Sequence, residues 1–150
     1  MKAENKPSLK TLIKETYGQF LAEEKAKAEA EKERQKLIFD KSLELFKTQL
    51  NLVIPPHIQE ELNIKFALTT EITHEYNQPH TGFFQASFVY CSVEFILAYH
   101  NLGGKEYWTL KTDRKFEENF PINALFPNLL IQLGRAEELD LNLLGADNEN

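Results

Sequence analysis

Four histidines, one cysteine and three adjacent carboxylate pairs beyond residue 50 are the side chains of this 150-residue chain best suited to chemistry. His74 and His80 flank a turn-rich stretch with Glu71 and Glu75 beside them, and His100 lies further along, so a metal site is the first chemistry to weigh. A catalytic metal needs about three protein ligands, held in place by further hydrogen bonds. No HExxH, no paired Cys and no acidic run at ligand spacing is present, so exposed loop histidines are expected, with no metal and no cofactor.

The pairs Glu60-Glu61, Glu117-Glu118 and Glu137-Glu138 sit in polar contexts, and sequence neighbours on a helix point apart, which suits solvation better than acid/base work. Glu94 is the one acid inside an apolar strand pattern, and a cross-strand lysine, Lys111, supplies a structural reason for it. Cys91 has no partner for an internal disulfide and reads as a small buried hydrophobe. There is no G-x-S-x-G, P-loop or G-x-G-x-x-G, and Gly103-Gly104 is too short to cradle a phosphate, so no catalytic residue is assigned.

Charge separates the chain into two parts. Residues 1–50 carry 11 basic and 9 acidic side chains, net +2, whereas residues 51–150 carry 6 and 14, net −8. The second part is therefore a poor phosphate binder. The amino terminus is basic, but no apolar core follows it, and the stretch from Phe83 to Tyr99 is interrupted by Gln85, Ser87, Ser92 and Glu94. Neither a signal peptide nor a membrane span is expected, and the reading is a cytoplasmic protein.

Ser8 is placed to cap a helix on which Leu9, Leu12, Ile13, Tyr17, Phe20 and Leu21 recur at spacings of three and four. Lys6, Lys10 and Lys14 form a basic flank, a possible contact for an anionic lipid or nucleic-acid surface. From Ala22 to Lys36 alanine is the only apolar residue, and opposite charges meet at helical spacing in pairs such as Glu23/Lys27 and Glu31/Arg34, each worth ~0.2–0.5 kcal/mol. This reads as a solvated spacer helix about 22 Å long at ~1.5 Å per residue. The expected organisation is an arm over 1–36 (amphipathic tip 8–21, spacer 22–36), a compact domain over 37–145 and a frayed tail over 146–150.

Leu37, Ile38, Phe39, Leu43, Leu45, Phe46 and Leu50 restore an apolar face, which ends before Pro55-Pro56. Asp40 could cap a fresh helix and kink the chain near Phe39, folding the arm back onto the sheet. His57–Leu62 reads as a short helix. The period then changes to two: Ile64, Phe66, Leu68, Thr70 and Ile72 alternate with polar residues. Phe84, Ala86 and Phe88 share one parity and Val93, Phe95, Leu97 and Tyr99 the other, which calls for a β-bulge near Val89–Ser92 or a split into two strands. Asn101-Leu102-Gly103-Gly104 marks a hairpin in which His100 pairs with Lys105, Leu97 with Trp108, Phe95 with Leu110 and Glu94 with Lys111. Pro121 opens a last helix bearing Leu125, Phe126, Leu129, Leu130 and Leu133, with Pro127 and Gly134 as weak points.

The expected fold is α+β: a long N-terminal helix, a three-stranded antiparallel meander with a bulge, and a C-terminal helix packed on one sheet face. Double-stranded RNA binding uses the same order of elements, but residues 116–134 contain no Lys or Arg, which removes the contacts that function requires. The leading expectation is a non-catalytic interaction protein, an adaptor or assembly factor whose arm pairs with itself or grips a protein partner through Leu9, Leu12, Ile13, Tyr17, Phe20 and Leu21. A second is a small-molecule-binding or enzymatic domain with a pocket between the sheet and the C-terminal helix, lined by aromatics such as Phe95 and Trp108 with Tyr99, Tyr107 or His100 as polar groups. A third is a nucleic-acid-associated accessory factor that binds through Lys6, Lys10 and Lys14.

Overall fold

The computed structural model describes residues 6–69 and 77–148, with side chains described up to residue 141. The chain divides into two units, Met1–Leu37 and Ile38–Asn150. The first is helical from Leu9 onward. Ser8 accepts at the helix start from the Thr11 amide (3.2 Å), as an N-cap should. The helix, α1, spans Leu9–Val53 and is unbroken at Phe39 and Asp40, so the alternative of a fresh helix capped by Asp40 does not occur. Within residues 22–36 the Glu31–Arg34 pair closes at 2.6 Å and Lys27 lies 3.9 Å from Glu24.

In the second unit, the end of α1 is followed by α2 (Pro56–Leu62), β1 (Lys65–Leu68), a 3-10 turn (Thr81–Phe83), β2 (Phe84–Tyr90), β3 (Val93–Leu102), β4 (Lys105–Thr112), β5 (Glu117–Pro121) and α3 (Ile122–Asn148). Pro56 begins α2, where its missing amide hydrogen costs nothing, and Asn63 ends it in a left-handed conformation (φ 55°). Gln59 Nε2 donates to the Ile54 carbonyl (2.8 Å) and to Asn51 Oδ1 (2.9 Å), tying the end of α1 to α2 across the proline corner.

The strands form one antiparallel sheet in chain order, β1-β2-β3-β4-β5. The class is α+β as expected, but the sheet has five strands where three were expected. One extra strand arises from the parity change between Phe88 and Val93. No bulge is present: Cys91 (φ 49°) and Ser92 (φ 65°) form a two-residue turn, and Phe88 pairs with Phe95 and Ala86 with Leu97. A two-residue turn places even-numbered positions opposite odd-numbered ones, so the flip in the apolar pattern is the hairpin itself. The other extra strand is β5. Its Glu117 and Phe120 pair with Lys111 and Trp108, and Pro121 closes the strand, with α3 opening at Ile122.

The β3–β4 hairpin forms with a different register. Its turn is Gly103-Gly104 alone, both at positive φ, and Leu102 pairs with Lys105. Tyr99 therefore faces Trp108, Leu97 faces Leu110 and Phe95 faces Thr112, two residues away from the expected partners. An even shift preserves which face each side chain occupies, so the buried set survives while the named pairs do not. Glu94 consequently does not oppose Lys111, which pairs with Ile96; the Glu94 amide donates instead to Asp113 Oδ1 at 3.2 Å.

One sheet face is buried. Phe84, Ala86 and Phe88 from β2, Val93, Phe95, Leu97 and Tyr99 from β3, Trp108 and Leu110 from β4 and Phe120 from β5 meet two helical stripes. One stripe is Ile38, Ser42, Phe46, Leu50 and Val53 of α1; the other is Leu125, Leu129, Leu133 and Ala136 of α3. Phe46 is fully buried, with ring centroids 5.7 Å from Trp108, 5.9 Å from Phe66 and 6.2 Å from Phe84. Ser42 sits in the apolar stripe because its Oγ accepts the His80 amide (2.9 Å), which anchors the segment before β2. Among the described residues, the Trp108 indole N–H is buried without an acceptor. α3 passes through both Pro127 and Gly134, although Pro127 leaves the Asn123 carbonyl without its helical donor; one residue on, Asn128 Nδ2 donates to the Ala124 carbonyl (2.7 Å). The helix includes residues 146–148 of the expected tail, and 149–150 lie outside the described residues.

Phe46→Ala removes the side chain shared by three aromatic contacts, and urea unfolding should show a loss of about 3–5 kcal/mol. Ser92 is exposed and left-handed, so Ser92→Gly should stabilise the protein by about 0.5–1 kcal/mol, the relief of backbone strain less the added freedom of the unfolded chain. The same substitution at the extended Ser87 should destabilise; equal signs at both positions would contradict the turn assignment.

Candidate functional site

The helical spacing of Leu9, Leu12, Ile13, Tyr17, Phe20 and Leu21 places all six on one side of α1, and each is between 46% and 74% exposed. Leu12, Ile13, Tyr17 and Phe20, together with Thr16, line a shallow depression on this face. The Tyr17 and Phe20 rings lie nearly parallel, with centroids 6.2 Å apart, forming a flat aromatic step along the helix. Thr16 is the member of this face that apolar periodicity passes over; its position between Leu12 and Phe20 in the same i+4 row is the only signal for it. Of the basic flank, Lys10 and Lys14 are on α1 and exposed, whereas Lys6 precedes the cap and is not on the helix.

The second unit brings polar groups together at one end of the sheet. His80, Thr81, Tyr99, His100 and Glu106 line an open groove of about 390 Å³ with Leu45, Gln49 and Pro79. The elements responsible are the segment before β2, the ends of β3 and β4, and the buried stretch of α1. Tyr99 is only 4% exposed, and burial, followed by its hydrogen bond with Glu106, raises the phenol above its ordinary range. His80 Nδ1 accepts from the Gly82 amide at 3.0 Å, so that ring nitrogen is engaged within its own turn. His100 stacks on Tyr107 across the hairpin at 4.8 Å on the opposite sheet face from Trp108. Sequence reasoning named Tyr99 and His100 but not Glu106, which the β3–β4 hairpin sets opposite Asn101, or Thr81, which the 3-10 turn before β2 places there.

His74, Glu71 and Glu75 lie outside the described residues. Among the described residues no group of three His, Cys, Asp or Glu side chains is arranged to hold a metal. Among the same residues no helix is long and apolar enough to cross a membrane.

Cys91 is not a core residue: it occupies the β2–β3 turn and is half-buried. Desolvation, with Asp140 and Glu137 adding to it, raises its thiol above the ordinary value and so disfavours the nucleophilic thiolate. Beside it, the Tyr90 hydroxyl donates to the Glu137 carboxylate, linking β2 to α3. This bond, with desolvation and the Glu137 charge, pushes the Tyr90 phenol up to about 12.

Comparison with models of protein families, with curated proteins and with solved structures finds no match for this chain.

The Tyr90 tie has a defined pH signature. A phenol raised in the folded state adds stability that is fully present below about pH 10, its unfolded value, and is lost as pH rises through the folded value of about 12. Absorbance titration should resolve one tyrosine ionising near the upper value, and Glu137→Gln should return it toward the ordinary range. A titration unchanged by that substitution would exclude the pairing.

Proposed function

We propose that this chain is a non-catalytic interaction module, an adaptor or assembly factor, in which residues 8–21, the amphipathic tip of a helical arm over 1–36, bury their apolar face against a protein surface. The observation that carries the reading is the exposure of six large apolar side chains on one helical stripe. Apolar clusters of this kind in a soluble chain mark interfaces, and an amphipathic helix laid in a groove buries them at i, i+3, i+4 and i+7 spacing. Each is already about half covered, so at the low end of ~1.5 kcal/mol for a fully exposed side chain their burial contributes on the order of 5 kcal/mol, comparable with the lower part of the ~4–15 kcal/mol cost of association. The residues proposed to make the contact are Leu9, Leu12, Ile13, Tyr17, Phe20 and Leu21.

The charged stretch from Ala22 to Lys36 supports this reading, because a helix with no apolar stripe holds the contact face without competing for it. Lys10 and Lys14 flank the face and favour an acidic rim on the partner. The net −8 of residues 51–150 argues against nucleic acid as that partner.

The test compares the full chain with Leu12→Glu/Tyr17→Glu by sedimentation and by co-purification from cells that express the gene. Both substitutions are on the exposed face, so the melting transition of the second unit should be unchanged. The expected result is that the wild type self-associates or retains a specific protein and that the variant does neither. A chain that is monomeric and retains the same proteins with and without the substitutions would refute the arm.

A further inference from the structure

A further concave surface lies at the corner where the β3 start, the β4–β5 turn and α3 meet. Residues 51–150 hold only 6 basic side chains among 14 acidic ones, yet three of the six, Arg114, Lys115 and Arg135, line this one cavity of about 280 Å³. Three independent features of the chain converge there. Arg114 and Lys115 belong to the turn, which Thr112 holds by donating its amide to the Phe116 carbonyl (2.9 Å) and accepting the Arg114 amide at its hydroxyl (3.3 Å). Arg135 projects from the α3 face that also carries Gln132, Ala136 and Leu139 into the cavity. The floor is apolar, formed by Val93 and Phe95 of the core with Phe116.

Among the described residues no carboxylate lines this cavity. Among the described residues none lies within 4 Å of the charged atoms of Arg114, Lys115 or Arg135. The acids nearest in sequence are directed elsewhere: Asp113 accepts the Glu94 amide, and Glu137 holds the Tyr90 hydroxyl. In a chain with net charge −6, three cations share this one cavity without a carboxylate within 4 Å among the described residues.

We infer that this corner binds a small amphipathic dianion, a phosphomonoester group attached to a compact apolar body. Guanidinium groups present paired donors that match phosphate oxygens, and Lys115 adds a third positive charge. A phosphomonoester carries about −1.5 to −2 at pH 7, which balances three cations better than a single carboxylate does. The apolar floor takes the organic group, as ligand pockets combine an apolar lining with a few polar anchors. The volume, just under the ~300 Å³ at which small-molecule pockets begin, restricts that group to about one ring. The surrounding negative charge disfavours an extended polyanion. The site is separate from the N-terminal helical face, and neither depends on the other.

Calorimetric titration of the full chain at low ionic strength tests the assignment, with phenyl phosphate as probe and inorganic phosphate and benzyl alcohol as controls. Phenyl phosphate should saturate a single site, at least about tenfold tighter than either control, because each lacks one of the two recognised parts. Arg114→Gln and Arg135→Gln should each weaken it by about tenfold or more, with Arg135→Lys intermediate. Both arginines are exposed, so unliganded melting temperatures should not change, which separates a lost site from a lost fold. Absence of saturable phenyl phosphate binding, binding unaltered by both arginine substitutions, or inorganic phosphate binding as tightly as phenyl phosphate would each overturn the proposal.

Discussion

The two-residue turns at Cys91-Ser92 and Gly103-Gly104 set which side of β2, β3 and β4 meets the helices. Side chains alternate across a strand, so one residue more or less in either turn would send the next strand's apolar set to solvent. The turns differ in backbone cost. Glycine supplies positive φ freely at 103 and 104, whereas Cys91 and Ser92 adopt it with a side chain attached. Burial of Phe88, stacked on Phe95 at 5.0 Å immediately beside the turn, offsets that strain.

From this alternation follows a sheet with one covered face, and the helices divide it. The Phe46 stripe of α1 lies against the aromatic side chains of β2 and β4, while the Leu125–Ala136 stripe of α3 meets β4 and β5. Polar groups enter this core where they have a task. Ser42 holds the segment before β2 by accepting an amide, and Thr112 shapes the β4–β5 turn. Trp108 is the exception among the described residues: its ring fills the centre of the core, and its indole N–H goes without a partner. A buried unpaired donor costs about 1–3 kcal/mol, a cost that full burial of the largest side chain in the core can offset.

The two proposed sites differ in what makes them legible. The face of α1 over residues 9–21 rests on periodicity within one helix, which is a local property. The anion site joins positions 114–115 to 135, residues unremarkable as isolated surface cations in the sequence. What would make them a site is the turn that Thr112 holds, the α3 face opposite and a lining without a carboxylate among the described residues. The same holds for the groove at Tyr99 and His100, where the hairpin sets Glu106 opposite Asn101 and the segment before β2 adds His80 and Thr81.

By itself the amino-acid sequence determined the properties that depend on near neighbours: the capped start at Ser8, the apolar stripe of 9–21, the end of α1 before Pro55-Pro56, and the buried parity of β2, β3 and β4. Each arises from spacing along a single element, where period and side-chain type suffice. Only the tertiary structure decided the strand count and the partners. Glu117–Pro121 has just one buried residue, Phe120, too little for an alternation signal, and becomes a strand because β4 presents an open edge to it. The β3–β4 register moved by two because both pairings bury the same face, so the apolar pattern cannot separate them and turn geometry must. Pro127 and Gly134 suggested an interrupted helix, yet α3 continues through both. Burial of Leu125, Leu129, Leu133 and Ala136 along one sheet face outweighs the one lost hydrogen bond and the flexibility of one glycine.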